Sequence, residues 1–435
     1  MKKIVLWVSV LLGALLKVSL CAANGFIDDA RVDFGARNYY YNNDYRSGSA
    51  NPSKIEEWGQ GFILNMESGY TAGPVGVGLD ASAMLGIKLD SGGRAGHAKS
   101  TRQPGIMFPQ RTDHSAEDEF STLGLTPKVK FSKTVFRYGT LQPVLPVLVN
   151  NDGRLLPMWF NGWQIDSKDL SNAELVAGRL NKVKAPGSTN LEGMRIAGGT
   201  ERSEDFEYAG ISYKLSDSLT SKYYYGKLEN YYAQNFLGLV HSVNVGGSAL
   251  KTDLRYFNSY GVGENTHNPR YGSSGYFNGA TVGKVDNQAY SLLFTLSNNG
   301  HAFGAGYQVL KGDSDFPFIN QGDGSSAYLP TSIQVLKFTR AGERSWQARY
   351  GYDFAKAGIP GLSFNAIYVS GSNIKTKIGD VKEHEIDTTL SYIFQGGALK
   401  NLEVQWRRGQ LSSDFPNVRD QVENRLIFNY RVDLL

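Results

Sequence analysis

The sequence predicts an all-β fold, a transmembrane antiparallel β-barrel of about 18 strands. Apolar residues alternate with polar residues and glycines in segments of roughly ten residues, the length of a tilted strand that crosses a bilayer. The connections between these segments alternate between short turns and long polar stretches, as in outer-membrane barrels. The 435-residue chain also contains 50 glycines and 25 tyrosines, and this composition suits strands and turns better than helices.

Residues 1–23 are predicted to be a cleaved signal peptide. Two lysines precede an apolar run over residues 4–16, and small residues follow at 21–23. This order of a positive region, an apolar region and a small-residue cleavage site is typical of exported proteins. Cleavage would leave residues 24–435 as a single barrel domain with a nearly balanced charge. That charge gives no reason to expect a nucleic-acid partner.

The strands are clearest where the alternation is longest. Over residues 75–90 every second residue is apolar and the residues between them are mostly polar or glycine, and segments 346–354 and 425–434 repeat the pattern. A helix would mix these two sets of residues, so the period of two predicts strands. A soluble sandwich would need an apolar second face as well. Here that face carries Arg, Lys, Asp and Asn, which suits a water-filled lumen.

The connections predict which end of the barrel carries the loops. Short turns are predicted at 71–74, 132–134, 216–218, 246–248, 298–300, 355–361 and 396–401. Long connections are predicted near 42–56, 90–120, 140–158, 182–205, 261–287, 311–344, 371–383 and 412–424, with one short connection near 229–231.

Motifs for enzyme chemistry are missing from the sequence. It has no H-E-x-x-H, phosphate-binding loop, nucleophile elbow or pair of cysteines. His241 and Ser242 are neighbours on one predicted strand, so their side chains point to opposite faces and are poorly placed for a catalytic pair. We therefore expect no enzyme activity, no metal and no cofactor.

The strand face opposite the apolar face carries many cations. A charge on the lipid face would cost roughly 2–4 kcal/mol at the bilayer midplane, so these side chains should face the lumen. They include Arg37, Lys128, Lys130, Arg137, Arg179, Arg255, Arg349, Arg407 and Arg425. Because arginine presents a planar fork that matches a carboxylate, the row would guide an anion along the wall. Acids such as Asp387 share the face, which leaves a mixed-charge pore without preference as the alternative.

Seven stretches, in order along the whole mature chain, carry a family resemblance. They are GFIDD at 25–29, RNYYYN at 37–42, EWGQGF at 57–62, GLDASAMLGIKLD at 78–90, NDGRLLP at 151–157, GDSDFP at 312–317 and AGERSWQ at 341–347. Together they resemble the OprD/Occ family of substrate-specific outer-membrane carboxylate channels.

The resemblance implies an 18-stranded barrel that is narrowed by inward-folded constriction loops and carries a row of wall cations. These cations guide basic amino acids in one branch of the family and aromatic or other small acids in another. We call this row the basic ladder and assign to it Arg37, Lys128, Lys130, Arg137, Arg154, Arg255, Arg349, Arg407 and Arg425. Carried over by position, the best candidates are Arg37, Arg137, Arg349 and Arg407.

Two connections match the constriction loops of the family. The loop at 140–160 contains Asp152 and Arg154, and its prolines cannot pair within a central strand. The loop at 311–344 should supply the acidic or hydroxyl side of the constriction, through Asp313, Asp315, Asp323, Ser326 and Tyr328. The sequence departs from the family at 158–159, where Met-Trp replaces the usual polar residue. The identity of the substrate therefore stays open.

The sequence thus predicts a channel for passive diffusion of small carboxylate solutes, namely amino acids or aromatic and other organic acids. We expect it in the outer membrane of a Gram-negative bacterium, in contact with lipid and lipopolysaccharide, as a monomer or loose homotrimer. Two alternatives remain open. One is a general diffusion porin, and the other is a plugged barrel with an enzyme or adhesin function.

Overall fold

The computed structural model, which describes residues 25–49, 51–322 and 326–435, is a closed antiparallel barrel of 18 long strands. The strands are β1 Arg31–Tyr45, β2 Lys54–Glu67, β3 Val75–Ser91, β4 Glu119–Phe131, β5 Thr134–Leu141, β6 Trp159–Ser167, β7 Ala173–Lys184, β8 Phe206–Lys214, β9 Leu219–Leu228, β10 Tyr232–Val245, β11 Ser248–Gly261, β12 Asp286–Asn298, β13 His301–Gly312, β14 Arg344–Asp353, β15 Leu362–Ser372, β16 Glu383–Ile393, β17 Glu403–Ser413 and β18 Gln421–Asp433. Each strand pairs with the next along the chain, and β1 pairs with β18 to close the sheet. The predicted fold class is confirmed.

The remaining elements are short. They are the strands Arg102–Gln103, Val144–Leu145, Leu148–Val149, Ser273–Phe277 and Ala280–Gly283 and the 3-10 turns Gly263–Thr266, Pro269–Tyr271, Phe354–Ala357 and Gly397–Leu399. In the described part of the chain, no helix is long and apolar enough to span a membrane. The predicted signal peptide lies outside the described residues and stays a prediction.

Short turns lie at one end of the barrel and long loops at the other, as the sequence predicts. The loops, numbered in chain order, are loop 1 (46–53), loop 2 (92–118), loop 3 (142–158), loop 4 (185–205), loop 5 (229–231), loop 6 (262–285), loop 7 (313–343), loop 8 (373–382) and loop 9 (414–420). Short periplasmic turns and long extracellular loops are typical of outer-membrane barrels. One further turn, 168–172 between β6 and β7, was not among the predicted turns.

The outer surface of the barrel is apolar. Leu123, Leu125 and Leu237 point outward and are more than half exposed, which suits contact with lipid. The lumenal position predicted for Arg179 is wrong, because this side chain lies on the outer face and pairs with Asp205 at 2.6 Å. The reason is that the inner face of β7 is itself apolar here.

That apolar inner face belongs to a cluster inside the barrel. Val176 and Leu180 join aromatic side chains of β8, β10 and β11 and apolar side chains of loops 3 and 7 in one buried group. At its centre the ring of Phe257 lies 4.7 Å from that of Phe236 and 5.0 Å from that of Phe316, a residue of loop 7. Burying an apolar side chain of this size contributes about 1.5–3 kcal/mol. The two loops are therefore packed against one side of the wall.

Gly139 in β5 is a position where only glycine fits. Its φ is +116°, and a Cβ there would lie 2.1 Å from the carbonyl oxygen of Leu125. We expect Gly139→Ala to lower the free energy of unfolding by at least about 2 kcal/mol, since both the backbone strain and the close contact act on the folded state. Urea unfolding of the refolded barrel measures the loss. Gly35→Ala in β1 is the matched control, because a Cβ at Gly35 meets nothing within 3.8 Å. An equal loss in both variants would contradict the argument.

Candidate functional site

A polar cavity of about 620 Å³ lies between loops 3 and 7 and the opposite wall. Loop 3 lines it with residues 150–154, and loop 7 lines it with residues 326, 332–335 and 337. The charged side chains of the wall that line it are Arg349, Asp387, Arg407, Glu423 and Arg425. We call this space the constriction cavity. A second polar cavity, of about 450 Å³, lies toward the turn end and is lined by Asp33, Asp80, Arg137 and the start of loop 3.

Loop 3 is held in the lumen by β1 and β2. The Arg37 guanidinium donates to both carboxylate oxygens of Asp152, at 2.8 and 3.1 Å, and to the Arg154 carbonyl at 2.7 Å. Gly59 and Gly61 of β2 leave room for Leu155, whose side chain would lie 2.8 Å from a Cβ at Gly59. Loop 3 thus presses directly on the wall, and these glycines accommodate it.

Loop 7 is held by three carboxylates on the inner face of β16, Glu383, Glu385 and Asp387, which we call the acidic rail. Glu385 accepts hydrogen bonds from the backbone N–H groups of Val335 and Leu336, both at 2.7 Å. Asp387 accepts from the Gln334 N–H at 2.8 Å, and Glu383 accepts from the Arg340 side chain at 3.1 Å. Because residues two apart on a strand share a face, one strand fixes the course of the loop.

The base of loop 7 is fixed by two acids of its own, the half-buried Asp315 and the fully buried Glu343. Asp315 accepts a hydrogen bond from the Ala341 N–H at 2.9 Å, and Glu343 accepts from the Arg340 N–H at 3.0 Å. Burial raises the pKa of Asp315, an effect that the Ala341 hydrogen bond partly offsets. Burial, together with the nearby Glu383 carboxylate, holds the pKa of Glu343 well above its usual range.

The first and last strands meet at the constriction cavity. The Tyr41 hydroxyl of β1 donates to the Glu423 carboxylate of β18 at 2.7 Å. Glu423 also pairs with Arg425 at 2.5 Å, and Arg425 donates to the Gln334 carbonyl of loop 7 at 3.0 Å. The seam of the barrel thus forms part of the site.

Most members of the basic ladder lie in ion pairs. The pairs are Arg37–Asp152, Lys128–Asp80, Arg137–Asp166, Arg255–Asp253 and Arg425–Glu423, with nitrogen–oxygen distances between 2.5 and 2.8 Å. Lys130 stacks on the Tyr70 ring at 5.3 Å, and Arg154 stacks on the Tyr41 ring at 5.4 Å. A carboxylate partner already offsets much of the positive charge that a paired cation presents to a passing solute.

Arg349 and Arg407 differ from the rest of the ladder. Each lines the constriction cavity, and neither has a carboxylate within 4 Å among the described residues. Arg349 donates to the Gln347 side chain at 2.6 Å and to the Pro330 carbonyl. The Arg407 Nε has no hydrogen-bond partner in the described part of the chain, and Arg407 lies directly opposite Arg425 on the next strand. Like charges placed opposite each other destabilise a sheet. An anion bound beside Arg407 and Arg425 would therefore relieve the repulsion between these two guanidinium groups.

The predicted loop residues lie at different distances from the constriction cavity. Asp152 and Ser326 line it, whereas the Tyr328 ring packs under Arg255 at 4.2 Å, outside it. Asp313 is exposed and pairs with Lys375 at 2.7 Å, Asp315 is half-buried at the loop base, and Asp323 lies outside the described residues.

Sequence reasoning placed Asp387 on the lumenal face without assigning it to the site, and it did not identify Glu423, although both carboxylates line the cavity. The alternation of acids at 383, 385 and 387 gave the lumenal position of Asp387, whereas nothing local marked Glu423. No group of side chains suited to hold a metal ion occurs in the described ranges.

Removing the Asp152 carboxylate should make the pore more selective for anions. In Asp152→Asn the Arg37 guanidinium loses the one carboxylate that lies within 4 Å of it among the described residues, and its positive charge then acts on ions in the lumen. We expect the permeability ratio of chloride to potassium to rise about two- to threefold, as for one charge that is partly screened by salt. The reversal potential in a KCl gradient measures this ratio. Asp313→Asn, which removes an exposed acid of loop 7, is the control. If the permeability ratio rose equally in this variant, the effect would come from net charge alone.

A family model described as outer membrane porin, OprD family, matches residues 24–434. The chain belongs to the OprD family. Porin D of Pseudomonas aeruginosa is 32% identical over 441 residues, which cover 95% of this chain and 93% of that protein. The crystal structure of P. aeruginosa OccK8 (OprE) is similar with a TM-score of 0.87 and 48% identity, over 94% of this chain and all of that one. OpdK of the same organism, solved with vanillate, has a TM-score of 0.83 and 33% identity, over 94% of this chain and all of that one.

Family membership confirms the predicted resemblance and the predicted location, the outer membrane of a Gram-negative bacterium. OprD-family proteins are porins, which are channels that pass small solutes. The protein is therefore an outer-membrane porin of this family. Loops 3 and 7 and the wall between them line the constriction cavity in its lumen.

Proposed function

We propose that this OprD-family porin is a selective channel for passive diffusion of small solutes that carry a carboxylate. The observation that supports this proposal is the pair Arg349 and Arg407. Both face the constriction cavity without a carboxylate partner among the described residues. A solute carboxylate is the missing partner, and it would bind each guanidinium through its planar fork.

The basic ladder as a whole would guide the solute to Arg349 and Arg407 and then onward through the lumen. A cation and a carboxylate 4 Å apart attract by about 4 kcal/mol at an effective dielectric constant of 20. Arg37, Arg137 and Arg425, which already have carboxylate partners, would bind a passing solute more weakly than this. Several weak stations help a solute to enter without trapping it, as a passive channel requires.

The relatives support a carboxylate substrate. OpdK was solved with vanillate, an aromatic acid with one carboxylate, and it is 33% identical to this chain. The constriction cavity here combines arginines with apolar side chains, among them Ile106, Ile333 and Ile367. An aromatic or other small organic acid offers both a charge for the arginines and an apolar surface for these side chains.

Uptake into liposomes that contain the purified porin tests the proposal. Benzoate and benzamide are a matched pair of nearly equal size, of which only benzoate carries a charge. We expect faster and saturable uptake of benzoate, and acidic amino acids, basic amino acids and neutral sugars would then define the substrate class. Equal uptake of benzoate and benzamide would instead indicate a general diffusion porin, and no uptake would indicate a plugged barrel.

A further inference from the structure

The extracellular end of the outer wall carries a group of basic residues that channel function does not explain. Lys311 is the last residue but one of β13, Arg344 begins β14, Lys382 ends loop 8 and His384 is the second residue of β16, and all of them are exposed. Lys311, Arg344 and His384 alternate in phase with outward-facing residues of their strands. We call the four residues the outer basic patch.

Strand register brings the patch together. Arg344 pairs with Val309, two residues before Lys311, and with Ser372 on its other side. Ser370, two residues before Ser372, pairs with His384. Since neighbouring strands lie about 4.8 Å apart, the patch spans four adjacent strands, β13–β16, at one height on the wall.

An aromatic belt lies directly below the patch, toward the middle of the bilayer. Tyr307 and Trp346 are 48% and 50% exposed, and the Trp346 ring lies 5.1 Å from that of Tyr368. Lys311 lies over the Tyr290 ring with its Nζ 5.3 Å from the ring centre. Tyrosine and tryptophan rings collect at the level of the lipid headgroups. The cations of the patch are therefore placed at the headgroups of the outer leaflet.

Several other outward-facing cations near this rim are neutralised by the protein. Arg102 pairs with Glu56 at 2.8 Å, Arg179 with Asp205 at 2.6 Å and Lys227 with Glu229 at 2.7 Å. Lys311 and Arg344, by contrast, form no ion pair with any residue of the described ranges, and Asp286 at the start of β12 lies more than 4 Å from Lys311. A cation at the edge of the hydrocarbon region is costly unless something compensates its charge, and the anionic headgroups of the outer leaflet lie within reach of these two side chains.

We propose that the outer basic patch binds the phosphate groups of lipopolysaccharide, the glycolipid of the outer leaflet. Arginine and lysine bind phosphate through strong charge-assisted hydrogen bonds. The aromatic belt below them would contact the sugar rings and the upper acyl chains. Because the patch faces the membrane and not the pore mouth, a solute on its way through the channel does not pass it.

Binding of purified lipid A to the full porin in detergent tests the proposal. The test variant is Lys311→Gln/Arg344→Gln, and the matched control is Arg179→Gln/Lys227→Gln, which removes two outward-facing cations that are already paired. Each cation near an anionic lipid surface contributes roughly a factor of five to binding. We therefore expect about 25-fold weaker binding of bisphosphorylated lipid A by the test variant and little change in the control. Native mass spectrometry reads out the bound lipid.

A second measurement uses the unaltered porin and needs no variant to fold. Bisphosphorylated lipid A should displace a bound fluorescent lipid A at a much lower concentration than its dephosphorylated form does. Equal competition by the two forms would overturn the proposal, and so would an equal loss of binding in the test and control variants. Unchanged single-channel conductance of the test variant is expected, since the patch lies outside the lumen.

Discussion

Replacing both Arg349 and Arg407 with alanine is expected to reduce benzoate uptake at low concentration by about thirtyfold or more. A hydrogen bond to a charged group contributes roughly 1.5–3 kcal/mol, and the double variant removes the two guanidinium groups of the constriction cavity that have no carboxylate partner in the described part of the chain. Benzamide uptake should stay the same or rise slightly, because the cavity becomes wider. Liposome uptake of the two compounds, measured side by side, gives the ratio.

The control for this experiment is Arg137→Ala/Arg255→Ala. These two arginines belong to the basic ladder but pair with Asp166 and Asp253 at 2.6 and 2.7 Å. Their removal changes the net charge of the porin by the same amount, so any general effect of charge appears in both variants. An equal fall in benzoate uptake would mean that the whole ladder acts together and that Arg349 and Arg407, which have no carboxylate partner among the described residues, have no special part.

The second large effect concerns the acidic rail. Glu385→Gln/Asp387→Asn replaces the carboxyl acceptors of three consecutive N–H groups of loop 7, at residues 334–336. Each such bond contributes roughly 0.5–1.5 kcal/mol, and a glutamine at position 385 would offer one acceptor oxygen where Glu385 uses two, so its NH₂ group would face a backbone N–H donor. We expect loop 7 to leave the cavity for part of the time, so that single-channel conductance in planar bilayers rises severalfold and the preference for benzoate over benzamide falls.

Glu403→Gln is the matched control for the rail variant. Glu403 lies on the neighbouring strand, and its carboxylate accepts hydrogen bonds from Ser391 and Asn429 of the wall, neither of which belongs to a loop. Conductance should therefore stay near that of the unaltered porin. If the rail variant also kept its conductance and selectivity, the apolar packing of Phe316 and Leu329 alone would be sufficient to hold loop 7.

The sequence predicts the barrel well because its strands face two different media. Lipid on one side and water on the other impose the period of two, which is readable over 75–90 and again at 425–434. The alternation fails as a guide where the inner face is also apolar. Val176 and Leu180 face inward under the loops, so the pattern alone assigns Arg179 to the wrong side.

The site is less accessible to sequence reasoning. Alternation identifies Arg37, Arg349 and Arg407 as wall residues, but whether each meets a carboxylate depends on where the loops fold. Arg37 meets Asp152, which is 115 residues away along the chain. The closed barrel and the inward path of loop 3 bring Arg37 and Asp152 together, and no local sequence pattern encodes either of these features. The same holds for Glu423, whose neighbours come from both ends of the chain.

The seam between β1 and β18 has a consequence for biogenesis. The constriction cavity takes Tyr41 from the first strand and Glu423 and Arg425 from the last, and Arg425 in turn holds the backbone of loop 7. A chain whose last strand has not yet been inserted therefore lacks both a closed wall and a complete constriction cavity. Closure of the barrel and completion of this cavity depend on the same strand, β18.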